Sequence, residues 1–247
     1  MKLHKLSLFG AVVGALIFMA ALAPRANAAL IVYFNFEDAT TGGAPDFVAD
    51  TIAAGNPGGG QQASTITTNY TAGDFESDAA LAIASTNRTA ADIDTTANQA
   101  VNFNRTINNN GKWIQFTVNS TFLQDLSLSF ALDNNGNGFN SAQLSYSTNG
   151  GTTFTNIGSA LAFTTGANQL IATGTFNVPQ QPGLILRLTF NGGASNGNNR
   201  QTVIDNIQLN ATVIPEPATV VSGLLGFCGL CWHQRRRLIR SLRLRRA

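Results

Sequence analysis

Alternation of apolar and polar residues predicts that the middle of this chain is built from β-strands. Side chains of a strand point alternately to its two faces, so one apolar face per segment is typical of a half-buried strand. Segments with this pattern cover residues 30–36, 114–118, 126–132, 142–147, 170–178, 184–190 and 202–209. Gly and Asn clusters at residues 134–136, 149–151 and 191–193 supply turns between them. The pattern therefore predicts an all-β fold, an antiparallel β-sandwich of jelly-roll-like topology.

Two finer expectations follow from the same pattern. The last strand is predicted to place four side chains on one face: Val203, Asp205, Ile207 and Leu209. Residues 38–100 carry a weaker signal, with many Thr, Ala and Asn residues, and predict long loops with short edge strands.

The chain begins with a segment typical of a secretory signal peptide. Two lysines form a basic start, residues 6–22 are almost wholly apolar, and Ala26 and Ala28 are the small residues of an A-x-A cleavage site. Cleavage before Ala29 is predicted over retention as an anchor helix, because small residues at this position and a nearby proline favour cleavage. Residues 1–28 are therefore assigned as signal peptide, and export to an oxidising compartment is expected.

The chain ends with three successive features. Pro215, Glu216 and Pro217 predict an extended, accessible hinge, because proline disfavours helix in the residue before it. Residues 218–232 are uncharged and apolar, and as a helix they rise about 22 Å against a hydrocarbon core of about 30 Å. Snorkelling side chains and local thinning of the bilayer close that gap, so a transmembrane helix is predicted. The basic residues that follow begin with Arg235, Arg236 and Arg237, and they predict a cytoplasmic end.

This order of features resembles the PEP-CTERM sorting signal of Gram-negative bacteria, over residues 213–247. The resemblance implies that residues 215–217 are the recognition motif of an exosortase-type processing enzyme. It also implies a precursor held transiently in the inner membrane and then delivered to the cell surface or the medium, usually beside exopolysaccharide production. An ordinary C-terminal anchor is the alternative, but an anchor does not need a Pro-Glu-Pro preface. Residues 29–212 remain as the β-sandwich domain.

Charge within the body argues against a nucleic-acid partner. Between residues 29 and 214, five basic residues stand against twelve acidic ones, which leaves a net charge of −7. Phosphate binding needs a basic surface, so no nucleic acid is expected to bind.

Residues that carry common catalytic chemistry are scarce in the body. Both histidines and both cysteines lie in the terminal segments, which excludes Ser-His-Asp and Cys-His catalysis and histidine-ligated zinc from the body. A glycoside hydrolase would need a carboxylate pair, for which the available acids are Glu37, Asp38, Asp74, Glu76 and Asp78. Adjacent surface acids explain these residues as well, so the protein is predicted not to be an enzyme.

One loop matches part of a calcium-binding motif. Asp133, Asn135 and Asn137 supply oxygen ligands at the alternate positions of the D-x-[DN]-x-[DN]-G pattern. The bidentate glutamate of that pattern is missing, since Leu144 occupies its position. A plain Asn-Gly turn is the preferred interpretation, with a structural calcium ion as the alternative and no other cofactor. Asp205 is either a second calcium ligand, with an acid that follows the first strand, or a buried hydrogen-bonded acid.

Sugar binding would need an exposed aromatic side chain. Trp113 lies on the opposite face of its strand from Ile114 and Phe116, as a stacking platform or as half-buried cover of the sheet. Residues 144–158 predict a hairpin with a type I′ turn at Asn149-Gly150, and they resemble a degenerate Asp-box.

Two strands also resemble known β-sandwiches. Residues 202–209 are similar to the closing strand of galactose-binding-like jelly rolls, and residues 31–36 to the first strand of laminin-G-like sandwiches. These likenesses imply a β-sandwich and only hint at carbohydrate.

The sequence therefore predicts a non-catalytic, exported surface or extracellular-matrix protein that is sorted through its tail. A carbohydrate-binding module for exopolysaccharide is the first alternative, and a glycoside hydrolase is the second.

Overall fold

The computed structural model describes residues 28–36, 47–49, 64–71, 75–78, 86–89, 100–104, 109–134, 138–192, 201–214, 223 and 225–236. These residues form twelve β-strands, which pair in two antiparallel sheets. The strands are β1 (Ala28–Phe34), β2 (Thr67–Thr68), β3 (Phe75–Asp78), β4 (Ala100–Asn104), β5 (Trp113–Val118), β6 (Leu123–Asn134), β7 (Ser141–Ser147), β8 (Thr155–Asn156), β9 (Leu161–Ala162), β10 (Gly166–Ala172), β11 (Leu184–Asn191) and β12 (Gln201–Val213).

Sheet 1 is organised around its longest strand, β12. The strand order is β10-β6-β12-β4-β3, and β1 also pairs with β12. One edge of β12 pairs with β6, while its other edge pairs first with β4 and then with β1. Ala28 at the start of β1 lies opposite Thr212 near the end of β12. The first and the last strand of the sandwich therefore pair with each other, and the start and the end of the domain lie side by side.

Sheet 2 has the order β2-β5-β11-β7-β8, and β9 also pairs with β7. Strand β11 lies in the middle and alternates buried and half-buried residues along its whole length. Its register places Arg187 between Gln115 of β5 and Ser145 of β7. Because residues directly opposite in antiparallel strands share a face, these three side chains form a row on the face that points away from the core.

The hydrophobic core lies between the two sheets. Sheet 1 contributes Leu126, Leu128, Phe130 and Leu132, and sheet 2 contributes Ile114, Phe116, Leu186, Leu188 and Phe190, all of them buried. The ring of Phe190 lies 5.3 Å from that of Phe103 and 5.5 Å from that of Phe139, measured between centroids. The predicted β-sandwich is thus confirmed at the level of two antiparallel sheets around one apolar core.

The last strand differs from its prediction because it contains a β-bulge. The pairing of β12 with β6 shifts between Asp205 and Gln208, and Asn206 adopts a φ of 50°. Ile204 and Ile207 consequently both join the main core, although they are three residues apart. Before the bulge, Val203 packs with Ala100 and Ala131 in a separate small cluster.

The expectation that Val203, Asp205, Ile207 and Leu209 share a face is therefore wrong. An extra residue in one strand of a pair reverses the alternation, so the first two face away from the core and the last two face into it.

The predicted strands match the observed ones closely in the middle of the chain. Strand β10 is displaced towards the N-terminus, since it covers Gly166–Ala172 rather than residues 170–178. Phe176 forms only an isolated bridge with Leu126. Within the described part of residues 38–100, the short strands β2 and β3 lie at sheet edges, as expected.

The hairpin of residues 144–158 is present, but its turn differs from the predicted one. Strands β7 and β8 pair, with Tyr146 opposite Thr155, and the seven residues 148–154 connect the end of β7 to the start of β8. The positive φ angles belong to Gly150 and Gly151, at 68° and 86°. A type I′ turn at Asn149-Gly150 would need a positive φ at Asn149, which that residue does not have.

Part of the C-terminal tail is helical, at residues 223 and 225–236. In the portion of the chain that the structure describes, no helix has both the length and the apolar character of a membrane span. Residues 215–222 and 224 lie outside the described residues, so the transmembrane helix predicted over residues 218–232 stays a prediction.

Candidate functional site

The residues predicted for export and sorting lie mostly outside the described structure. Ala26, the three residues 215–217 and Arg237 fall outside it, while Ala28 is the exposed first residue of β1. Arg235 and Arg236 lie exposed on the tail helix, where the guanidinium of Arg236 is 5.3 Å from the ring centroid of Trp232. The sorting assignment therefore remains a prediction from sequence.

The loop predicted as a turn or calcium site is described only at its two ends. Asn135 and Asn137 lie outside the described residues, and Asp133 is half-buried near the end of β6. The adjacent Asn134 is buried, and its amide donates to the carbonyl of Phe139 at 2.9 Å. Its oxygen accepts a bond from the hydroxyl of Thr202 at 2.8 Å. Asn134 thus closes the loop onto β12 as a structural residue, whereas the calcium alternative stays a prediction.

Among the acids considered for hydrolysis, Glu37, Asp38 and Asp74 lie outside the described residues. Glu76 and Asp78 belong to the edge strand β3, where their backbones lie opposite Asn102 and Ala100.

Asp205 is a buried, hydrogen-bonded acid on the outer face of sheet 1. It is 2% exposed, and its carboxylate accepts bonds from the backbone N–H of Asn206 at 2.7 Å and from the Asn206 amide at 3.2 Å. This arrangement matches one of the two alternatives drawn from the sequence. The carboxylate satisfies the local donors of the bulge and so helps to hold the positive φ of Asn206.

A short segment, residues 86–89, covers that same part of sheet 1. The amide of Asn87 donates to the carbonyl of Asn206 at 2.7 Å, and its oxygen accepts from Ser129 at 3.1 Å. Asn206 in turn donates to the carbonyl of Thr86 at 3.1 Å and accepts a bond from the hydroxyl of Tyr33. These polar groups are largely satisfied by one another, which is the behaviour of a structural network rather than of a binding surface.

The outer face of sheet 2 is different, because aromatic and charged side chains there remain partly open to solvent. Trp113, Gln115, Phe154 and Arg187 are all half-buried. The guanidinium carbon of Arg187 lies 4.1 Å from the ring centroid of Trp113 and 3.5 Å from that of Phe154. We call these four residues the stacked patch. They place two aromatic rings and a cation together on one face of the sheet.

The strand pairing fixes the position of Trp113 in the stacked patch. Its backbone N–H donates to the side-chain oxygen of Asn69 at 2.7 Å, and its carbonyl accepts from Thr68 at 2.8 Å. Its strand neighbours Ile114 and Phe116 are buried in the core. The prediction that Trp113 points to the outer face is therefore confirmed, and the aromatic ring stands on a rigid strand.

The hairpin loop between β7 and β8 brings in Phe154. The side-chain oxygen of Asn149 accepts bonds from the hydroxyl of Ser147 at 2.9 Å and from the N–H of Thr153 at 3.0 Å. The Ser147 hydroxyl also accepts from the N–H of Gly151 at 2.9 Å. A Cβ on Gly151 would lie 3.8 Å from the Phe154 ring, so the loop folds back closely beneath it. These bonds hold Phe154 against Arg187.

Arg187 and Phe154 were not singled out from the sequence as site residues. The alternation of β11 showed that Arg187 is an outward residue between buried leucines, which was the available signal. Its two aromatic neighbours come from another strand and from a loop, at positions that only the strand register and the loop path define.

No family model matches this sequence, and no curated protein does. The solved structures that resemble the fold include the following three. The CBM22-1–GH10 modules of xylanase 10B from Clostridium thermocellum, complexed with xylohexaose, share 13% identity with a TM-score of 0.39, covering 78% of this chain and 31% of that one. A family 35 carbohydrate binding module from Clostridium thermocellum shares 15% identity with a TM-score of 0.32, over 59% of this chain and 97% of the module.

The third structure is TmCBM61 in complex with β-1,4-galactotriose, at 13% identity and a TM-score of 0.32. It aligns over 59% of this chain and 86% of its own.

Proposed function

We propose that this chain is an exported, non-catalytic surface protein whose β-sandwich binds carbohydrate through the stacked patch. The observation that supports this most directly is the half-buried Trp113 on the outer face of sheet 2, with Arg187 and Phe154 beside it.

The chemistry of the stacked patch suits a saccharide. The apolar C–H faces of a pyranose ring pack on aromatic rings, and its hydroxyl groups accept and donate hydrogen bonds at the ring edge. Arg187 covers one face of each ring, so Trp113 and Phe154 supply aromatic surface through the part of these half-buried side chains that it leaves uncovered, while Arg187 and Gln115 supply polar groups next to it. The patch also differs from the outer face of sheet 1, where the polar network satisfies its own groups.

Replacing Trp113 by alanine should abolish measurable glycan binding, or weaken it by about 30-fold or more, because aromatic anchors dominate such contacts. We would measure binding by titration calorimetry against a panel of plant and bacterial polysaccharides, including exopolysaccharide from the producing cell. Trp232→Phe, measured in the uncut chain, is the matched control, since it removes the other tryptophan of the chain and lies in the exposed tail helix.

The Trp232→Phe chain also allows a second measurement of binding, by tryptophan fluorescence, because Trp113 is then the single tryptophan. A bound sugar should change its fluorescence. The proposal fails if no polysaccharide binds the wild-type chain, or if the Trp113→Ala variant binds as well as wild type.

We further propose that the tail is a processed sorting signal. Support comes from the order of features in the sequence, namely residues 215–217, the apolar stretch and the arginine run. In the structure the last sheet residue, Val213, comes two positions before Pro215, and Val213 is exposed.

Mass spectrometry of protein from the cell surface and medium should find a mature C-terminus near Pro215. Loss of exosortase in the producing cell should leave the chain uncut in the membrane. Peptides that reach through Trp232 in the surface fraction of normal cells would instead identify a permanent anchor, and the sorting proposal would then be wrong.

A further inference from the structure

Arg187 is held in one orientation by three neighbours. Its Nε–H and Nη2–H both donate to the side-chain oxygen of Gln115, at 2.9 and 2.6 Å. The rings of Trp113 and Phe154 contact the guanidinium at 4.1 and 3.5 Å from their centroids. A guanidinium fixed in this way is pre-organised, so little side-chain entropy is lost when it binds a ligand.

Only part of the hydrogen-bonding capacity of Arg187 is used within the described part of the protein. Arginine carries five N–H donors, and the two bonds to Gln115 leave three of them without a hydrogen-bond partner among the described residues. No carboxylate of the described part of the chain forms an ion pair with Arg187, although the body as a whole is acidic. Burial lowers the pKa of the guanidinium from its ordinary value, yet the side chain stays charged at neutral pH.

A half-buried cation with open donors favours an anion supplied from outside. The planar fork of a guanidinium matches a planar carboxylate with two parallel hydrogen bonds. The flanking rings of Trp113 and Phe154 favour a ligand that also has an apolar ring face. A carboxylate attached to a pyranose ring, as in a uronic acid, combines both features.

We propose that the stacked patch is specific for acidic saccharides and that Arg187 binds the carboxylate of a uronic acid residue. This inference rests on the proposed carbohydrate-binding function and names its ligand class. Gln115 acts as a positioning residue, because it orients the guanidinium through two hydrogen bonds and leaves the remaining donors for the ligand.

The test compares each polyuronate with its own neutral form. Polygalacturonate, alginate and hyaluronan would be titrated against the full chain, each beside the polymer in which the carboxyl groups have been reduced to alcohols. We expect at least one polyuronate to bind about 10- to 100-fold more tightly than its reduced form, the range of one charge-assisted contact. Binding of that polyuronate should also weaken between about 20 and about 500 mM NaCl, while binding of a reduced polymer should not.

Variants at position 187 connect this preference to the guanidinium. Arg187→Met keeps an unbranched chain between the two rings and should remove the preference for the charged polymer. Arg187→Lys keeps the charge without the planar fork and should retain part of the preference. Thermal unfolding followed by circular dichroism checks that both variants fold. The arginine run of the tail also attracts polyanions, so only the part of the salt-dependent binding that Arg187→Met removes is assigned to the stacked patch.

Each outcome separates this inference from the function on which it rests. If no polymer binds, both the inference and the proposed function fail. If reduced and charged polymers bind equally, or Arg187→Met keeps the whole preference of the wild-type chain, the uronate inference is overturned while carbohydrate binding stands. Tighter binding of dextran sulfate than of every polyuronate would assign the cation to sulfate esters and overturn the carboxylate assignment.

Discussion

Replacing Phe190 by alanine should lower the free energy of unfolding by about 3–5 kcal/mol, the range for large-to-small changes of buried aromatic residues. The side chain is 0% exposed, and its ring lies 5.3 Å from that of Phe103 and 5.5 Å from that of Phe139. Phe103 belongs to sheet 1 and Phe190 to sheet 2, so the change removes a contact that joins the two layers. Urea denaturation followed by fluorescence would measure the loss.

A matched control shows that the effect comes from packing between the sheets. Leu170 is 58% exposed on the edge strand β10, and its replacement by alanine should change the stability by about 0.5 kcal/mol or less. A loss of under about 1 kcal/mol for Phe190→Ala would contradict the packed core described above.

Replacing Asn206 by alanine should destabilise the protein by about 2–4 kcal/mol, for two separate reasons. Asn206 sits at the bulge of β12 with a φ of 50°, which costs about 1–2 kcal/mol for a residue with a Cβ and no local hydrogen bond. Its side chain also bonds to Tyr33, Thr86 and Asp205, and removing a buried partner costs about 1–3 kcal/mol. The loss would be measured by urea denaturation.

Asn206→Gly separates the two contributions. Glycine adopts a positive φ without strain but lacks the amide, so it should lose only the hydrogen-bond contribution. We therefore expect Asn206→Gly to be more stable than Asn206→Ala by about 1 kcal/mol. Equal stability of the two variants would show that the backbone conformation of the bulge contributes nothing, and our account of it would be wrong.

The Phe190 replacement tests the core and the Asn206 replacements test the outer face of sheet 1, whereas the proposed site lies on the outer face of sheet 2. The two outer faces have different chemistry. The bulge and residues 86–89 build a self-satisfied polar network on sheet 1. Sheet 2 keeps an aromatic and cationic surface partly open, carried by strands whose other face is anchored in the core. Replacing Phe190 is therefore expected to affect the folding of the whole sandwich, whereas replacing Arg187 is expected to affect the binding of saccharides.

The sequence alone determined the class of the fold and the position of most strands. Apolar residues recur at every second position from Leu126 to Leu132 of β6 and from Leu184 to Phe190 of β11, so the core-facing side chains of these two stretches could be assigned residue by residue. The same rule placed Trp113 on an outer face. The predictions of export and sorting also rest on the composition of short segments and on their order along the chain, and neither depends on the fold.

Only the tertiary structure decided the faces of β12 and the composition of the stacked patch. A single extra residue at Asn206 reverses the alternation of inward and outward side chains along β12. The bulge arises from the pairing with β6, so no local pattern of the sequence predicts it. Arg187 meets Trp113 because β11 pairs with β5 in one register, and it meets Phe154 because a loop folded by Ser147 and Asn149 returns across the sheet. Such contacts join residues far apart in the chain, and they depend on strand register and loop path, which hydrophobic periodicity does not specify.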